Sequence, residues 1–163
     1  MSKVHFKHPI AGHVHIEVNG VTHSAQIDND EPFADALRLA IQHANSPAEA
    51  LRYLAVIGVH VWHPGRSPAA DLLQRWEKYF GDPGQVPNGS LLGTVVVHAQ
   101  NQKFNAEIRG GDFYDTQILR AHARGENAAL AFKFLAEVGI RLYKTNSIML
   151  GGGEQSELRR LIG

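Results

Sequence analysis

His13 and His15 stand two residues apart, and Glu17 follows two further on, in a run that alternates with Val14, Ile16 and Val18. Residues two apart on an extended strand leave the same face. The spacing can therefore present two imidazoles and a carboxylate to one divalent metal ion. An ion held that way would activate a bound water, so a metal-assisted hydrolase is one chemistry the triplet allows. The plainer reading is a solvated sheet face.

A second constellation mixes aromatic and basic side chains. His60, Trp62 and His63 precede Pro64-Gly65, and Arg141, Tyr143 and Lys144 close a similar run later in the chain. Aromatic faces beside cations suit stacking on bases and pairing with phosphate, or an anchored contact with a partner protein or small ligand. Arg109-Gly110-Gly111-Asp112 joins a strand pattern to a helix pattern, a context in which backbone amides can hold an anion. Trp62, His63, Arg109, Arg141, Tyr143 and Lys144 are accordingly the candidate ligand- or partner-binding residues. Asp82–Ser90 is turn-rich, and Trp76, Tyr79 and Phe80 stripe the helix pattern before it.

Other chemistries are excluded or unsupported. The chain has no cysteine, which removes disulfides, thiolate metal sites and cysteine nucleophiles. It carries no nucleophile elbow, phosphate-binding loop or His-Glu-x-x-His helix. Sixteen basic residues balance sixteen acidic ones, so nucleic acid is a possible partner but not a favoured one. No apolar leader or membrane-length stretch is visible, which sets the expectation of a cytoplasmic protein without membrane contact. Ten histidines make the chain strongly cationic on mild acidification.

The elements that must position these residues read as a repeat. Sliding the sequence over itself until Val14 meets Val95 lays Val14–His63 on Val95–Lys144 without a gap, with nine identities that include Leu54/Leu135 and Gly58/Gly139. Conservative pairs such as Leu51/Phe132, Arg52/Lys133 and Trp62/Tyr143 keep the register. Each copy opens with an alternating hairpin. Asn19-Gly20 is a strong two-residue turn, and Gln100-Asn101 is a poorer one. Inward positions are Val14, Ile16, Val18, Val21, His23, Ala25 and Ile27, then Val95, Val97, Ala99, Phe104, Ala106 and Ile108. Two helices follow, the first capped by Asp30, the second opened by the capping box Ser46-Pro47-Ala48-Glu49. Gly58 and Gly139 then read as helix stops, with third strands over Val59–His63 and Ile140–Lys144.

The expected fold is α+β, an internal tandem duplication of a β-β-α-α-β unit with antiparallel hairpins in a pseudo-two-fold arrangement. Residues 1–66 and 94–163 form the repeats and 67–93 a linking helix and loop, all in one compact domain. The leading functional expectation is a non-catalytic binding protein, or a self-associating one, that uses the junction of the repeats. No cofactor is expected, beyond the divalent metal that His13, His15 and Glu17 allow.

Overall fold

The computed structural model describes residues 9–60, 70–81, 88–112, 114–145 and 160–161. The chain is α+β, with a four-stranded antiparallel sheet and five helices among those residues. In order these are β1 (Ala11–Val18), β2 (Val21–Ile27), α1 (Ala34–Gln42), α2 (Pro47–His60), α3 (Ala70–Phe80), β3 (Leu91–Ala99), β4 (Gln102–Arg109), α4 (Asp115–Ala123) and α5 (Ala128–Thr145). The strands lie in the order β2-β1-β3-β4.

Both hairpins form where alternation predicts them. Asn19 and Gly20 take φ values of 52° and 84°, and Gln100 and Asn101 take 55° and 61°. The poorer turn chemistry thus yields the same left-handed pair of residues. Strand alternation buries Val14, Ile16, Val18, Ala25, Ile27, Val95, Val97, Ala99, Ala106 and Ile108. Val21, expected inward, is instead half-exposed, although Val18 directly across the turn from it is buried. The central pair β1–β3 sets Val14 opposite Val95, the residue on which the constant offset lays it.

The offset recurs in local detail. Ala44 and Gly125 both have positive φ. Asn45 N–H donates to the Ala40 carbonyl, and Glu126 N–H to the Ala121 carbonyl. Ser46 Oγ accepts the Glu49 N–H at the start of α2, and Asn127 Oδ1 accepts the Ala129 and Leu130 N–H groups at the start of α5. These side chains satisfy donors that a helix start leaves open. Asp30 does not cap α1: Phe33 holds the N-cap position without a side-chain bond, and Asn29 Oδ1 accepts from Ile10 N–H and Arg38 Nη1 instead.

The expected third strands are a correction. Val59 and His60 continue α2, and Ile140–Lys144 lies within α5; Val61–His63 fall outside the described residues. Among the described residues the order is therefore β-β-α-α, first over β1 to α2 and again over β3 to α5, with α3 between. Gly58 and Gly139 do not stop their helices. They are the points at which α2 and α5 touch. A Cβ on Gly58 would sit 2.1 Å from the Leu135 carbonyl oxygen, and one on Gly139 would sit 2.1 Å from that of Leu54. Only glycine permits backbones to meet so closely, and Leu51, Leu54, Ala55, Phe132, Leu135 and Ala136 close the seam around them.

The helices cross over between the halves. α2 lies against β3 and β4, and α5 lies against β1 and β2. α3 docks on α4 and α5, where Trp76 and Phe80 pack with Phe134 at centroid distances of 6.4 Å. Leu161, which the same offset pairs with Phe80, is also buried, and Asn45 Nδ2 donates to the Arg160 carbonyl at 2.7 Å.

Candidate functional site

Strand alternation sends His13, His15 and Glu17 to the sheet face opposite the helices. His98 joins them from β3 and Lys103 from β4. The His13 and His15 rings meet edge-on with centroids 4.5 Å apart, and His13 lies 6.4 Å from His98. His15 Nδ1 and Ser24 Oγ are 2.8 Å apart. Burial lowers the His13 pKa from its ordinary value, and His15, His98 and Lys103 push the same way. Three imidazole rings thus gather on one face of the sheet, His15 bonded to Ser24 and His13 held toward its neutral form. Glu17 is exposed and lies across from Thr22 and Leu92, toward the other end of the strand. Among the described residues, no three His, Asp or Glu side chains converge in a way that could hold a metal ion.

The aromatic and basic candidates do not gather into one patch. Trp62, His63 and the Lys144 side chain lie outside the described residues. Tyr143 is half-buried against the core. Arg141 Nη1 is 3.5 Å from Glu137 Oε2, and the same carboxylate is held by Arg75 in a two-pronged pair at 2.7 Å on each side. Helical rather than extended geometry accounts for this. Successive residues of α5 turn by about 100° instead of alternating. Arg109 stands elsewhere, at the end of β4, with its Nη2 2.6 Å from Glu107 Oε1. The loop after it is a capped turn: the Gly111 N–H donates to Asp115 Oδ2 at 3.0 Å.

Two further constellations emerge only in three dimensions. The first is a cleft of about 450 Å³ between α2 and β4, lined by Glu49, Arg52, Asn105, Glu107, Arg109 and Asp112. Arg52 donates to Glu49 at 3.1 Å and to Asp112 at 3.2 Å, and Tyr114 Oη donates to Asp112 Oδ2 at 2.5 Å. Burial of Tyr114, with the Asp112 carboxylate beside it, raises its pKa far above the ordinary tyrosine range. Arg52 in the first half thus reaches a loop of the second. Lys133, which the constant offset pairs with Arg52, reaches back to Glu31 at 2.5 Å.

The second constellation links β2 to α4. His23 Nδ1 accepts the Ala128 N–H at 3.2 Å, which places its proton on Nε2; that N–H donates to His122 Nδ1 at 2.9 Å. The bond requires both rings neutral. Sequence reading set His23 inward, but gave no route to a partner so distant along the chain. The mismatch of His122 with Ile41 under the repeat offset was the one available signal.

No protein-family model, curated protein or solved structure matches this chain. No helix among the described residues is long and apolar enough to cross a membrane.

Proposed function

We propose that this protein is a non-catalytic binding protein, built by internal duplication, that recognises a macromolecular partner or small ligand where its two halves meet. The duplication reading is supported by the constant offset between strands, turns, caps and helices, and by Val14 facing Val95 at the centre of the sheet. A two-fold relation between like units places a self-complementary surface at their junction.

The junction has two sides. On the helix side it is closed, because α2 and α5 meet at Gly58 and Gly139 with no room for a side chain. On the other side β1 and β3 present His13, His15, Thr94 and His98, with His15 and His98 exposed. The observation that carries the proposal is this histidine cluster, drawn from both halves onto an open sheet face. A neutral imidazole offers one donor and one acceptor, so the cluster can bond to a polar partner in either sense.

The test is capture from source lysate with light scattering, repeated with His13→Ala and His98→Ala. A stoichiometric partner or ligand that both variants lose is the expected result. A partner indifferent to both substitutions would move the surface away from β1 and β3. The metal-assisted hydrolase reading rests on His13 and His15 alone, since no third ligand converges on them among the described residues. Metal analysis of tag-free protein decides that reading, since a working centre requires one bound ion per chain that His13→Ala and His15→Ala release.

A further inference from the structure

The sheet has two outer edges, and they are finished differently. In a hairpin with a two-residue turn, the residues flanking the turn bond to each other, and every second residue after them bonds inward. On β2 this leaves the backbone groups of Thr22, Ser24 and Gln26 pointing away from the sheet. On β4 it leaves those of Lys103, Asn105 and Glu107. Unpaired edges of this kind template the addition of another strand unless something covers them.

At β2 the cover is explicit. Asn127 Nδ2 donates to the Ser24 carbonyl at 3.0 Å, and Lys133 Nζ donates to the Gln26 carbonyl at 2.5 Å. Both side chains come from the start of α5 and bridge over the edge. Their counterparts in the first half, Ser46 and Arg52, stand at the start of α2 beside β4. Neither bridges. Ser46 is too short to reach out from the helix and caps Glu49, and Arg52 is turned to Glu49 and Asp112. Among the described residues, no side chain bonds to the outward backbone of Asn105 or Glu107. The space left between helix and edge is the cleft of about 450 Å³.

We infer that β4 is a docking edge, at which an extended peptide segment of a partner protein adds as a fifth strand beside Asn105 and Glu107. Main-chain bonds supply recognition of an extended backbone, and the cleft selects side chains. Its walls carry the carboxylates of Glu49, Glu107 and Asp112 against the guanidinium groups of Arg52 and Arg109. The excess is one negative charge, so the segment that fits carries a basic side chain facing the cleft. A second copy of this chain fits less well. The start of α2 flanks the edge, and two-fold pairing of β4 with itself would bring two such helix starts together. This edge is separate from the histidine face, so the two proposals fail independently.

The experiment selects from a displayed library of random peptides about ten residues long, the length of a long strand, on the folded protein. Binders should carry Lys or Arg and slow hydrogen exchange at the Asn105 and Glu107 amides while leaving Ser24 and Gln26 unchanged. The decisive variant is Ser46→Asn with Arg52→Lys, which transplants onto α2 the two side chains that cover β2. It should weaken the selected peptides by about tenfold or more, roughly 1.4 kcal/mol, with the native circular dichroism spectrum retained. Asn105→Pro, which removes only an outward donor on an edge strand, should do the same. Recovery of no binder, protection elsewhere on the protein, or equal affinity for the transplanted variant would overturn the inference. So would a peptide-free dimer in sedimentation that protects Asn105 and Glu107, because the edge would then belong to a second copy.

Discussion

The constant offset pairs His23 and His122 with Phe104 and Ile41, and the two pairs hold opposite corners of the same sheet by different means. In the first corner, directed bonds tie β2 to α4 and to the start of α5. In the second, Phe104 and Ile41 pack on the core beside the start of α2 and line a pocket together with Asn45, Ser46, Gln100 and Gln102. The apolar corner has nothing to titrate. Acid therefore acts on the first corner and spares the second.

The strongest way to break this comparison is to remove the core that both corners share. Leu54 and Leu135 are both fully buried at the α2–α5 seam. Leu54→Ala and Leu135→Ala should each cost about 2–5 kcal/mol in chemical denaturation. The two costs should be alike. A value near zero at one site would show that the halves do not contribute equally. Gly58→Ala and Gly139→Ala come next. Each adds a methyl against a backbone carbonyl, and a loss of about 1–3 kcal/mol is expected; a neutral result would mean the helices can part without penalty.

The corners themselves separate in the next experiments. His122→Ala leaves the His23 Nε2–H without its acceptor and should destabilise by about 1–3 kcal/mol, whereas Ile41→Ala at the other corner should cost in proportion to its lost apolar contact alone. Burial, with His122 beside it, lowers the His23 pKa below its ordinary 6.5. The unfolded chain therefore takes up the proton first, so the contribution is complete above about pH 6.5 and fades as the pH falls below it. Thermal unfolding between pH 7.5 and 5 should show this slope, and His23→Phe with His122→Ile should remove part of it. His13, whose pKa is lowered too, supplies a second part of the same sign. An unchanged slope in the double variant would refute the role of the pair. The smallest effect belongs to the turns. Gln100→Asn with Asn101→Gly copies the first turn into the second and should stabilise by about 1 kcal/mol, the order of the cost of a left-handed residue.

Much of the scaffold was readable from the residues alone. Period-two alternation placed the buried faces of both hairpins, Ser46 announced the start of α2, and the constant offset put the hairpin and both helices of the second half in register. The failures share a cause. Gly58 and Gly139 each precede a β-branched or aromatic run, so local rules end the helix there. The demand for glycine arises instead from another helix that the local sequence does not reveal. The same holds for the site residues. His13 and His15 are adjacent on a strand and therefore legible as a pair, whereas His98 joins them only through the β1–β3 register. Arg52 with Asp112, and His23 with His122, are contacts of long sequence separation that no spacing rule anticipates. Arg141 and Tyr143 misled because their grouping assumed a strand where α5 continues.

The crossing of α2 onto β3 and β4, and of α5 onto β1 and β2, makes each half the lid of the other. A hairpin with its own two helices cannot close a core. Assembly must wait for segments far apart along the chain to meet, which predicts a slow, all-or-none folding step. Fragments covering 1–66 and 67–163, prepared separately, should be collapsed or unfolded alone and regain the native spectrum when mixed, interlocked like clasped hands.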